Sequence, residues 1–426
     1  MTIQKYLKRL FGRMKWYEQA EYAAMLFTMA AAPLNWRVAT VGMVLLALLA
    51  VVKAVAKRRF GNPALEKPQR WALAAMMALF AVYLASGFFS ENRAYGLEIA
   101  GGKLCLLILP LAALAGDTRY LTHERMRVLF YTLGMTLVVT FLVCTGIAVG
   151  KMIGGTAFKN VLDHHFISTH HTYVALYLIV AMVFGYTEIM ALIKQGTFSL
   201  RAPLPVCLLT GELLLTLFAL AVNSRAGILA IVLLAAVAIA DIARTTRKWR
   251  TVVVAVVVMG VVGGGLYALV PASRHRLAKT MTDVSSAYPK DARVGLMDYA
   301  FEAIERDMDH GRWLVGLGEG DYLDHLYVRY AAHGYKGGVK YQQGTHNQYM
   351  ETFLACGAIG LAVLLWMLTA PLWIWRKAGS GRRKGFLVFF IMLALVTESM
   401  LGRQMGLFFI AYIYYLLILW RPKISA

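Results

Sequence analysis

Three side chains stand out for the chemistry their types allow. They are Arg225 in the string Asn223–Ser224–Arg225–Ala226–Gly227, Arg293, and His346 in Gly344–Thr345–His346–Asn347–Gln348–Tyr349. A guanidinium presents rigid, bidentate donors to an oxyanion. An imidazole gains and loses a proton near neutral pH. Each also has an ordinary alternative. An arginine at the edge of an apolar run, as Arg225 is, commonly snorkels to headgroups. Arg293 could pair with Asp291 or Glu302, and His346 could cap or pack a helix. Taken singly, none of the three identifies a reaction.

The elements that must position them are membrane spans. Of 426 residues, 59% are hydrophobic and 16% charged, too few polar groups to cover a soluble protein of this size. Apolar runs long enough to cross a bilayer recur from end to end. They fall near 20–35, 36–56, 71–90, 98–115, 128–149, 171–193, 203–222, 226–243, 251–270, 347–375, 385–402 and 404–420. The expected class is therefore all-α: a polytopic membrane protein of about twelve transmembrane helices forming one domain over 1–426. The net charge of +21 invites a nucleic-acid reading, but its placement argues otherwise. Basic residues concentrate in every second connection, as in Lys57–Arg58–Arg59, Arg244 to Arg250, and Arg382–Arg383–Lys384. That alternation sets membrane orientation and puts both termini on the cytoplasmic side. Residues 1–19 are basic but have no short apolar region with a small-residue cleavage site, so no cleavable signal is expected. Cys105, Cys144, Cys207 and Cys356 lie in or beside apolar runs without metal-site spacing and read as packing residues.

On this topology one outside connection dominates, residues 271–346. It carries ten Lys or Arg against ten Asp or Glu, a near-neutral balance that argues against a basic surface tether. Residues 291–309, after Pro289, read as an amphipathic helix with Val294, Met297, Phe301 and Ile304 on its apolar side. Gly316, Gly318 and Gly320 read as a turn, since no strand precedes them as a dinucleotide fingerprint requires. Residues 331–345 read as a loop. The whole segment is expected to cap the bundle, with Arg225, Arg293 and His346 at its rims and on its first helix. Lys103, inside the fourth run, is an intramembrane charge and so a binding candidate. Arg93, Arg312 and Arg329 join it in a second tier. Asp163, His164, His165, His170 and His171 form the other polar cluster. It lacks the helical spacing of metal-binding pairs, so a polar vestibule or interfacial helix cap is expected there and no metal.

Four fragments, in order, resemble the lipopolysaccharide O-antigen ligase family, which shares a C-terminal signature with O-antigen polymerases and bacterial O-oligosaccharyltransferases. They are Ser224–Arg225–Ala226–Gly227; Arg293 with Leu296–Met297 and Ala300; Leu314–Val315–Gly316–Leu317–Gly318–Glu319–Gly320; and His346–Asn347–Gln348–Tyr349 with Gly357–Ala358–Ile359–Gly360–Leu361. The resemblance covers about residues 203 to 375. It implies an inner-membrane glycosyltransferase that moves O-antigen polysaccharide from undecaprenyl pyrophosphate to a lipid A–core sugar at the periplasmic face, without cofactor or metal. It implies that Arg225 and Arg293 clamp the pyrophosphate and that His346 takes the acceptor proton, with inversion at the anomeric carbon. Asn347, Lys103 and Arg312 would be further substrate contacts, with Asn347 orienting or capping its helix. A polymerase or protein O-oligosaccharyltransferase would use the same donor. The chain ending at Ala426, just past the last span, favours ligase or polymerase. A secondary transporter would show two related halves, and no such repeat is evident.

Overall fold

The computed structural model describes residues 10–12, 14–57, 61–155, 170–222, 224–246, 253, 293–375 and 381–420. In chain order the helices are α1 (Trp16–Ala31), α2 (Trp36–Lys57), α3 (Lys67–Phe89), α4 (Arg93–Gly102), α5 (Cys105–Leu114), α6 (His123–Ile153), α7 (His171–Lys194) and α8 (Pro203–Val222). Then come α9 (Arg225–Thr246), α10 (Arg293–Asp307), α11 (His310–Val315), α12 (Tyr322–Ala332), α13 (Lys336–Lys340), α14 (Gln348–Trp375), α15 (Gly381–Thr397) and α16 (Gln404–Leu419). No strand occurs among the described residues. The protein is an all-α polytopic membrane protein, the class its apolar runs require.

Seven of these helices are long and apolar enough to cross a membrane by themselves: α2, α3, α6, α7, α8, α9 and α14. Four of the other expected spans are modified. The first lies at Trp16–Ala31 rather than near 20–35 and carries Glu18 and Glu21. The fourth is two helices, α4 and α5, bent by 45°. The last two are shorter apolar helices, within Gly381–Thr397 and at Gln404–Leu419. The ninth expected span, 251–270, lies outside the described residues.

The described chain divides into two compact units. In the first, residues up to Leu133 join those from Leu296 onward. Its central pairing is α14 against α3, with α15 and α11 also on α14, while α1 packs on α2 and α5 on α2 and α3. In the second unit α7 packs between α8 and α9. Its buried face runs almost unbroken from Tyr173 to Tyr186, as expected of a helix enclosed by apolar neighbours on several sides. The Tyr186 hydroxyl donates to Asp241 at 2.7 Å, so a carboxylate on α9 has a partner on α7.

The large connection differs from its sequence reading in two respects. The described part holds four helices, and residues 336–340, expected in a loop, form α13. Helix α10 buries Leu296, Ala300, Ala303 and Ile304, whereas Phe301 is half exposed. The buried positions are spaced i, i+4, i+7 and i+8, one face of the helix, and Phe301 lies off it. Pro289 lies outside the described residues.

Candidate active site at the polar head of a kinked helix

Helix α14 is interrupted at Gly357, which has φ 62°. The reason is the turn 316–321. A Cβ on Gly357 would run into the backbone of Leu314, and one on Gly316 (φ 86°) into the backbone of Ala355. Only glycine allows both the left-handed conformation and that approach. The turn then uses the carbonyls that the kink releases. Leu317 N–H donates to Leu354 O at 2.7 Å and Gly318 N–H to Ala355 O at 3.2 Å.

The same turn is fastened to the end of α3 and the start of α4. Ser86 donates from Oγ to Ala355 O at 2.6 Å and accepts from Glu319 N–H at 2.9 Å. Ser90 Oγ accepts from Gly320 N–H at 2.9 Å. The Asp321 carboxylate accepts from Glu91 N–H at 2.7 Å and Asn92 N–H at 2.9 Å, ahead of α4. Lys103 sits at the break between α4 and α5, with its ammonium on the Glu319 carboxylate and 4.5 Å from the Tyr83 ring centre. Both side chains of this pair are almost wholly buried. Burial pushes the Glu319 carboxyl up from the usual range, against the opposing pull of Lys103.

A polar seam continues up α14. Tyr83 and Thr352 share a hydrogen bond of 2.8 Å, Gln348 Nε2 donates to Thr352 Oγ1 at 3.1 Å, and Gln348 Oε1 accepts from Leu401 N–H at 2.6 Å. Glu351 accepts from Thr345 N–H at 2.9 Å and from Ser399 Oγ at 2.6 Å. At the top stands His346, with φ 54°, one of two non-glycine residues in the left-handed region among those described. Such a conformation costs ~1–3 kcal/mol and persists where its surroundings enforce it. Here they do. Thr345 Oγ1 accepts from Asn347 N–H at 3.1 Å, and Asn347 Oδ1 accepts from Tyr349 N–H at 3.0 Å and Met350 N–H at 3.2 Å, capping α14. His346 is thus turned out of the helix path. Its Nδ1 lies 3.9 Å from Glu398 Oε1, within ion-pair range but longer than a hydrogen bond.

The first unit holds His346, Asn347, Lys103 and Arg312. Asn347 caps α14, as its position suggested. Lys103 is a buried ion-pair partner rather than an open cation, because a buried ammonium requires a carboxylate. Arg312 is exposed on α11, Arg93 is exposed at the first residue of α4 over the Phe88 ring, and Arg329 pairs with Asp307. Arg225 and Arg293, the first residues of α9 and α10, themselves fall in the second unit, and their side chains lie outside the described residues. So do Asp163, His164 and His165. His170 accepts from Thr172 N–H at the head of α7. Sequence reasoning missed Glu319, Glu351 and Glu398. Glu351 and Glu398, as carboxylates in or beside apolar runs, carried the same intramembrane-charge signal that marked Lys103.

Fold and site together define a polytopic all-α membrane protein with a buried polar centre at the head of one kinked span. Over residues 211–365, a little over a third of the chain, it matches the family model described as O-Antigen ligase. That stretch holds Arg225, Arg293, Arg312, His346 and Asn347 and is consistent with the O-antigen ligase superfamily, supporting a ligase- or polymerase-type function. Lys103 and Glu398 fall outside it. No curated protein matches the chain.

Proposed function

We propose that the protein is an O-antigen ligase, transferring O-antigen polysaccharide from undecaprenyl pyrophosphate to a lipid A–core sugar at the periplasmic face of the inner membrane. The observation that carries this reading is His346, held in a strained backbone conformation at the head of α14 with a carboxylate facing its Nδ1. A proton on Nδ1 directed toward Glu398 leaves the Nε2 lone pair free to act as base. An acceptor hydroxyl gives its proton to Nε2 as its oxygen forms a bond to the anomeric carbon. The bond from that carbon to the pyrophosphate breaks, and the carrier leaves with the electron pair. In-line attack inverts the anomeric centre. Glu398, 3.9 Å from Nδ1, stabilises the imidazolium that forms through its charge.

Arg225 and Arg293 are assigned to the departing pyrophosphate, where fixed bidentate donors stabilise developing charge. Lys103 acts through Glu319, holding the 316–321 turn rather than touching the donor. Asn347 orients the head of α14, and Arg312 is a peripheral cation.

The test is transfer in vitro from purified lipid-linked glycan, with lipid A–core or further lipid-linked glycan as acceptor. Label on lipid A–core alone selects the ligase, and chain extension on the carrier selects a polymerase. His346→Ala is expected to lower turnover by ~10²–10⁴-fold with donor binding retained. Near wild-type transfer by that variant removes the base assignment.

A further inference from the structure

Helix α11 has an unusual surface. Residues Trp313–Leu314–Val315 are 51%, 56% and 58% exposed, and no residue of the helix is buried. In water such a tip would be a liability. Its position supplies the covering. The backbone at Leu314 and Val315 lies against Gly357, that at Gly316 against Ala355, and Trp313 meets Phe353 edge-on at 5.1 Å. All three contacts are on α14, which is 28 residues long.

A hydrocarbon core of ~30 Å is crossed by ~20 helical residues. With 28, α14 has one end beyond the hydrocarbon. The polar head (Gln348, Glu351, Thr352) is the part suited to lie outside, which puts Phe353 to Gly357 at the hydrocarbon edge. The tip of α11 shares that depth. Its apolar surface has neighbours in kind: Ile359 on α14 is exposed beside it in sequence depth, and Phe88 and Phe89 are exposed at the end of α3. Ser86, one turn from those rings, bonds Ala355 O and so fixes them at the same level. Each of these apolar groups has an exposed cation beside it. Arg93 lies 5.6 Å over the Phe88 ring, and Arg312 immediately precedes Trp313. Apolar and aromatic side chains with flanking arginines suit the boundary between acyl chains and phosphate headgroups.

We propose that Trp313, Leu314 and Val315 form an interfacial anchor, inserted into the lipid leaflet at the head of α14, with Arg312 at the level of the phosphates. The partner is the bilayer itself. The segment from α11 to the head of α14 is thereby held on the membrane as well as on the protein, whatever reaction the site performs.

The full chain is reconstituted into vesicles of phosphatidylethanolamine and phosphatidylglycerol, and the Trp313 emission is isolated as the difference between wild type and Trp313→Phe. With lipids brominated near the glycerol end of the acyl chains, that difference is expected to fall by about half, and less with bromines near the chain terminus. Aqueous iodide is expected to leave it unchanged. A second reporter is Leu314→Cys carrying an environment-sensitive dye, in a chain whose native cysteines are alanine. Its emission is expected to shift to the blue on reconstitution. Quenching by iodide but not by brominated lipid overturns the proposal, and so does insensitivity to both quenchers, which would mean that protein covers the tip.

Discussion

Two buried lysine–glutamate pairs in the same unit do different work. Lys53 on α2 donates to both Glu21 oxygens on α1, at 2.7 and 2.6 Å, and the two side chains are 1% and 0% exposed. The pair joins neighbouring helices 32 residues apart in sequence. Lys103 and Glu319 are nearly as buried but 216 residues apart. Neither belongs to a regular helix interior: Lys103 marks the α4–α5 break, and Glu319 sits in a turn seated on the kink of α14. The first pair fixes the packing of two helices. The second fixes a turn, and through it the helix whose head carries His346. A buried ion pair is therefore not one kind of device. What it controls depends on whether its partners lie on rigid or irregular backbone.

The sharpest way to break the comparison is Lys53→Met. It leaves Glu21 buried without its cation, at an expected cost of about 3–5 kcal/mol. Thermal unfolding in detergent measures this, and transfer per folded molecule should be retained. Lys103→Met should cost less, about 2–3 kcal/mol near neutrality, because a turn yields more readily than a helix interior to let Glu319 protonate or reach water. Unlike Lys53→Met, it should depress transfer by the folded fraction.

The Lys103–Glu319 pair also has a pH dependence that can be tested. Burial holds the folded Glu319 carboxyl above its ordinary range. Its neutral form suits the folded state, so the associated stability is complete below the unfolded pKa and is lost as pH rises through the folded one. Removing Lys103 raises that folded value again. The midpoint gap between Lys103→Met and wild type should widen as pH rises above the ordinary carboxylate range. A gap independent of pH would show that Glu319 does not titrate there.

Asp321→Ala tests the other fastening of the same turn. It strips acceptors from Glu91 and Asn92 N–H and should cost about 1–2 kcal/mol. Smallest of all is Glu302→Gln. Glu302 bonds His333 and pairs with Arg306 at the surface of α10, and such exposed pairs contribute little. Its unfolding midpoint should be indistinguishable from wild type, which makes it the control for charge removal without burial.

Legibility in the sequence followed the same division between regular and irregular backbone. Apolar runs located α2, α3, α7, α8 and α14 to within a few residues because a bilayer sets one length scale for every span. The fourth run was legible as apolar but not as broken. Lys103 was visible as an anomaly, whereas the carboxylate that explains it lies far along the chain. Phe301 is expected on the apolar side of α10 but is half exposed, while Ala300 and Ala303, which hydrophobicity alone does not mark, are buried. The capping of α14 by Asn347 was legible because capping is a local interaction. Glu398 was not singled out, because its relevance comes from facing His346 across a loop.

By itself, then, the sequence determined the all-α membrane class, the approximate spans, and the residue types able to bind anions and move a proton. Those properties depend on composition and on spacing within one helix or turn. Only the tertiary structure decided that Lys103 is spent on Glu319, that α14 kinks at Gly357 to receive the 316–321 turn, and that His346 is turned toward Glu398. Each of these joins groups distant in sequence through backbone approach or buried charge pairing, and no local pattern encodes which distant partner satisfies a buried group.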